Sequence, residues 1–151
     1  MVLNDAVLRL VLLAHVAATL MMVGLIWFVQ VVHYPLFGAV GEDGFVKYAF
    51  EHSRRTTFVV ALPMLLELAT AGVLVLRQPM GVSSVQAWMG LALVAIIWLS
   101  TYALQVPQHT ILGKGFDQGA HQLLVVSNWI RTIGWSMRGL LVVWMMFGFI
   151  R

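Results

Sequence analysis

Apolar residues run almost unbroken through four stretches of this chain, and the polar residues gather between them. The stretches cover about 6–32, 56–76, 85–106 and 122–150. A hydrocarbon layer about 30 Å thick takes about 20 residues at about 1.5 Å each, so every stretch is long enough to cross it as a helix. Backbone amides in lipid must be paired within their own segment, and none of the runs shows the alternating polarity of a barrel strand. The pattern therefore predicts an all-α integral membrane four-helix bundle with antiparallel up-down topology, forming one domain over 1–151.

The connections are unequal. Arg77–Ser84 is a tight Pro/Gly/Ser turn, whereas 34–55 and 107–119 are longer and carry most of the charge. Four spans place both termini and the short turn on one face and both long connections on the other. Arg9, Arg77 and Arg151 then oppose Lys47, Arg54, Arg55 and Lys114, a balance that leaves orientation undecided under the positive-inside rule. The first residues have neither a basic leader nor a small-residue cleavage site and read as the first membrane helix.

Composition strengthens this picture. The 151 residues are 61% hydrophobic and 10% charged, with mean hydropathy +0.91, more apolar surface than a soluble domain of this size can hide. Localisation in a membrane follows (the inner, cytoplasmic membrane if the source is bacterial), with lipid as the first partner. No cysteine occurs, which excludes disulfides and thiol chemistry. The net charge of +3 is scattered and forms no basic patch, so nucleic acid is not an expected partner.

Ionisable side chains inside the spans are the informative ones, since lipid penalises them and they turn toward the protein interior. On the fourth span Asn128, Arg131, Trp135 and Arg138 share one helical stripe, and Glu67 is the single carboxylate deep in a span. Two guanidiniums against one carboxylate leave a surplus of donors. The third span carries Trp98, Tyr102, Gln105 and His109 at one-face spacing, and the first ends with Gln30, His33, Tyr34 and Pro35. Counting spans brings His33, His52, His109 and His121 together at the long-connection side. His33, His52 and His109 could hold a metal ion or haem as cofactor, or no cofactor at all. His15, on the termini side, is expected to bond a nearby backbone carbonyl.

The run Gln105-Val106-Pro107-Gln108-His109, followed by Asn128, Arg131 and Thr132, resembles the anthrone-oxygenase-like family of small four-helix membrane proteins. The likeness covers about the C-terminal third; Gln105 and His109 stand where that family tends to have Asn, and His33 has no counterpart. It implies the same fold and a lipophilic aromatic substrate. A fainter likeness, in His15, Tyr34-Pro35 and Pro63-Met64, is to HemJ-like haem proteins, without their third-span lysine.

Three readings stay open. One is a membrane oxidoreductase or oxygenase acting on a lipophilic aromatic or quinone-like small molecule, with His109 as general base and Arg131, Asn128, Gln105, Glu67 and Arg138 as the polar site. Another is a metal- or haem-binding redox protein at His33, His52 and His109. The last is a non-catalytic subunit or assembly factor joined to other membrane subunits.

Overall fold

Helix α1 starts at a side-chain cap. In the computed structural model, which describes residues 4–150, the Asn4 side-chain oxygen accepts from the Val7 amide at 2.9 Å and satisfies a free first-turn donor. The helix runs Asp5–Phe28, enters a π-helical turn at Val29–His33 and closes with a 3-10 turn at Pro35–Ala39. Helix α2 is Glu42–Leu76, with Glu42 and Asp43 placed in its first turn where the helix dipole favours anions. Helix α3, Ser84–Ser100, opens with a reciprocal capping box between Ser83 and Gln86. A second π-turn at Thr101–Gln105 joins it to α4, Val106–Leu112. Helix α5, Gln118–Ile150, begins where Asp117 Oδ1 accepts from the Ala120 amide at 2.7 Å.

The spans form a ring in which α1 and α3 each pack against both α2 and α5, as up-down-up-down order requires. Arg9 lies over the Phe149 ring at 5.6 Å, and Gly81 backs directly onto the Gly148 backbone. The start of α1, the α2–α3 turn and the end of α5 therefore share one face. Gly81 is irreplaceable there: its φ is +86°, and a Cβ would strike the Gly148 carbonyl. Arg151, counted above on this face, lies outside the described residues.

Large apolar side chains such as Phe58, Leu62, Leu99 and Leu140 point outward, the reverse of a soluble bundle. All four spans are long and apolar enough to cross a membrane, and the protein is a four-helix bundle of membrane type. The helices outrun the apolar stretches. Most of 34–55 and 107–119 is helical, because backbone hydrogen bonding continues past the point where side-chain polarity changes. At about 1.5 Å per residue α2 is about 50 Å long, so its charged first turns project beyond the hydrocarbon.

Both π-turns end two residues before a proline, at Pro35 and Pro107. A proline ring collides with the carbonyl four residues back and offers it no donor. Widening the turn relieves this: the amides of Tyr34 and Val106, just before each proline, bond five residues back to Val29 and Thr101. The extra residue changes the register. Trp98, Tyr102, Gln105 and His109 do not share one face as their spacing predicts; Tyr102 is 64% exposed while Gln105 is 1% exposed.

Candidate functional site

The polar residues of the interior form two separate groups. Toward the termini face, Arg138 on α5 is held by the three other spans. Its Nε and Nη2 donate to Glu67 Oε1 on α2 at 3.2 and 3.1 Å, and Nη1 donates to the Gly90 carbonyl on α3 at 2.6 Å. Nη2 also reaches Thr19 Oγ1 and His15 Nε2 on α1, at 3.3 and 3.4 Å. The second Glu67 oxygen accepts from Trp135 Nε1 at 2.9 Å. Since Arg138 donates to His15 Nε2, the His15 proton sits on Nδ1 and is given to Thr70 Oγ1 at 2.7 Å. Thr70 Oγ1 in turn donates a hydrogen bond to the Leu66 carbonyl at 2.6 Å. His15 is thus bonded to a side chain across the α1–α2 interface, not to the carbonyl expected from the sequence. Of the two arginines on the stripe, Glu67 pairs with Arg138 and not with Arg131.

The second group lies toward the long-connection face. Gln30 donates to the Val125 carbonyl at 3.1 Å and accepts from Asn128 Nδ2 and Thr132 Oγ1 at 2.9 and 3.2 Å. Gln105 accepts from Ser100 and donates to Ser127, at 3.1 and 3.0 Å. The two glutamines sit on the π-turns and tie spans one and three to α5. Beyond them the rings gather around the fully buried Phe37. His33 Nε2 meets His52 Nδ1 at 2.7 Å, Tyr34 Oη meets His109 Nε2 at 3.0 Å, and His121 Nε2 donates to the Tyr34 carbonyl at 2.8 Å.

A cavity of about 490 Å³ opens between α2 and the third span at this level. Tyr34, His52, Thr56, Gln105, His109 and Arg131 supply its polar lining, Ala49, Phe50, Val60 and Val106 its apolar wall, and Lys114 stands with them at the lining. Its α2 residues straddle position 56, where the apolar stretch of that span begins, so the cavity sits at the edge of the hydrocarbon. Arg131 is 8% exposed and lies beside Tyr34 and His109. Its guanidinium rests 5.3 Å from the Trp135 ring centroid, its Nε has no hydrogen-bond partner, and among the described residues no carboxylate pairs with it. A buried guanidinium without a carboxylate bears a desolvation cost that the Trp135 ring and the neighbouring Tyr34 hydroxyl offset only in part.

The structure brings together His109, Arg131, Gln105, His52 and, beside His52, His33. It keeps Glu67 and Arg138 apart from them, in the other group. Asn128 faces Gln30 on α1 and does not line the cavity; its Oδ1 is buried without a partner. The histidines are paired with one another and with Tyr34 around no shared centre. His52 and His109 stack at 5.3 Å with ring planes 27° apart, and among the described residues no three His, Asp or Glu side chains assemble as a metal ligand set. Spacing marks Tyr34 only as the end of the first span and does not single out Thr56, yet both line the cavity. Tyr34 carries a signal in hindsight, because Pro35 stops the helix beside it and turns its ring inward, where it is 3% exposed.

Comparison with protein-family models, with characterised proteins and with solved structures gives no match to this chain.

Proposed function

We propose that the protein is a membrane-embedded oxidoreductase of the oxygenase type that takes a lipophilic aromatic or quinone-like molecule into the cavity between α2 and the third span. The observation carrying this reading is the meeting of a proton acceptor and a cation without a carboxylate partner in one apolar-walled space: the His109–Tyr34 pair beside Arg131. A molecule with an activated C–H or O–H next to a ring carbonyl would give its proton to His109, and Arg131 would hold the oxygen on which the negative charge develops. Gln105, with one amide hydrogen uncommitted, is placed on the same wall. For an activated methylene, dioxygen would then complete a balanced oxidation: CH2 becomes C=O and the second oxygen leaves as water.

The cavity's position at the hydrocarbon edge suits a substrate that partitions from the bilayer, and its volume fits two or three fused rings. The likeness of Gln105–His109 and Asn128–Thr132 to anthrone-oxygenase-like proteins supplies the aromatic class as part of this proposal. The test is turnover of anthrone and reduced-quinone analogues by the purified protein in lipid nanodiscs under oxygen. Product formation lost in His109→Gln and Arg131→Ala supports the reading. Absence of turnover, together with unaltered analogue binding by Arg131→Ala, would sink it.

A further inference from the structure

The interior charges do not cancel. Glu67 and Arg138 neutralise each other across the bundle centre, and Trp135 takes the remaining Glu67 oxygen. On the long-connection side Glu51 is clamped by Arg54 and Arg55 and Asp117 caps α5, while Glu42 and Asp43 stand in the first turn of α2 and do not line the cavity. Arg131 is left as one unit of positive charge, 8% exposed, with an unpartnered Nε. The titratable or charged groups around it come from every neighbouring span: Tyr34 from the first, His52 from the second, His109 from the third, and Lys114 farther along the cavity. None of these is an anion. In surroundings of low dielectric such a cation stabilises a negative charge within a few ångströms far more than water-exposed arginine would.

We propose that the cavity is a receptor for a lipophilic monoanion: its ligand resides there as the conjugate base, an enolate or phenolate whose oxygen faces Arg131. This rests on the aromatic reading above and deepens it. The molecule arrives neutral from the bilayer, loses one proton to His109 and from there to water, and is held ionised. A neutral molecule of the same shape would leave Arg131 uncompensated and would bind poorly.

The experiment uses a 2-alkyl-4-nitrophenol, whose ionised form is yellow, with the protein in nanodiscs of neutral lipid. Bound to the wild type, its ionisation midpoint should fall by about 1–3 pH units relative to protein-free nanodiscs, a shift typical of an opposite charge at close range. Arg131→Gln should abolish the shift and Arg131→Lys should keep part of it. The methyl ether of the probe, unable to ionise, should bind at least about tenfold more weakly, as expected when a buried charge loses its partner. A midpoint unmoved in the wild type, or a methyl ether that binds equally well, overturns the monoanion inference and leaves the aromatic reading standing. A fatty acid that displaces the probe and outcompetes it supports the monoanion but overturns the aromatic class in favour of a lipid carboxylate. Failure of the probe, its ether and the fatty acid to bind overturns both. The wild-type midpoint keeps the test decisive even where Arg131→Gln fails to fold.

Discussion

Arg131 and Arg138 stand two turns apart on one stripe of α5, both buried, and the protein treats them in opposite ways. Arg138 is held by a carboxylate, a backbone carbonyl, a hydroxyl and an imidazole drawn from the three other spans. Arg131 has an aromatic face, a tyrosine and a histidine beside it, no anion, and a cavity in front of it. Complete satisfaction is what a structural cation in a membrane interior needs, since each unpaired group there is destabilising. Arg131, about 10 Å along the helix at the cavity, has no such set of partners, and on the proposal above that leaves it to a ligand. The same residue type on the same helix face thus separates by its partners into a fastener and, as proposed above, a receptor.

The largest effect should come from breaking the fastener. Glu67→Ala strands Arg138 and Trp135 together, and removing one member of a buried pair destabilises by about 3–5 kcal/mol. Thermal unfolding followed by circular dichroism in a mild detergent should show this as a large drop in midpoint. The double change Glu67→Ala with Arg138→Met should recover much of it, because the stranded charge is gone. A single mutant no less stable than the double would remove the distinction between the two arginines.

Arg131→Met should do the opposite to stability and damage binding instead. With no carboxylate to strand, deleting the charge should leave the unfolding midpoint unchanged or raise it, while the affinity for an ionisable aromatic probe falls about tenfold or more. Equilibrium titration and thermal unfolding of the same preparation check both halves. A destabilisation as deep as that of Glu67→Ala would show that Arg131 is a second fastener.

Much of this was legible from residue order. Uninterrupted hydropathy located four spans, and the stripe Asn128, Arg131, Trp135, Arg138 is buried on every member, since an α-helix with no proline keeps its register from end to end. Span counting also brought His33, His52, His109 and His121 to one end. What was lost follows from the prolines of the other spans. Pro107 induces a π-turn that rotates Tyr102 out of the face it shares by spacing with Gln105, and no periodicity count contains that extra residue. Nor does spacing along one helix say which partner waits on another. The allocation of Glu67 to Arg138 alone, and of Asn128 to Gln30, depends on the axial stagger of spans remote in sequence. Thr19 and Thr70 were invisible for a related reason: a hydroxyl in an apolar span commonly bonds its own helix, and only the His15 and Arg138 contacts give these two a wider role.

A smaller effect is expected at Gln105, which belongs to both behaviours because it joins the third span to α5 and lines the cavity. Gln105→Ala removes the partners of the Ser100 and Ser127 hydroxyls, a loss of about 1–3 kcal/mol for buried groups left unsatisfied. It should therefore lower the unfolding midpoint and weaken probe binding together. A change confined to one readout would assign the glutamine to one region only.

The finest comparison uses the same substitution twice on α2. Thr70 accepts from His15 beside the closed network, whereas Thr56 touches His52 Nδ1 at 3.2 Å and lines the cavity. Thr70→Val preserves shape and removes the acceptor, leaving the buried His15 Nδ1–H without a partner at a cost of about 1 kcal/mol. Thr56→Val leaves His52 still bonded to His33, and a partly exposed site of this kind changes stability by no more than about 0.5 kcal/mol. Unfolding midpoints should consequently fall for the Thr70 variant and hold for the Thr56 variant. Probe affinity should follow the reverse order, with the Thr56 variant altered because its hydroxyl is part of the cavity wall. Should the two variants shift the same readout by the same amount, the interior would be one continuous polar core, and the division between a sealed network and an open receptor would fall with it.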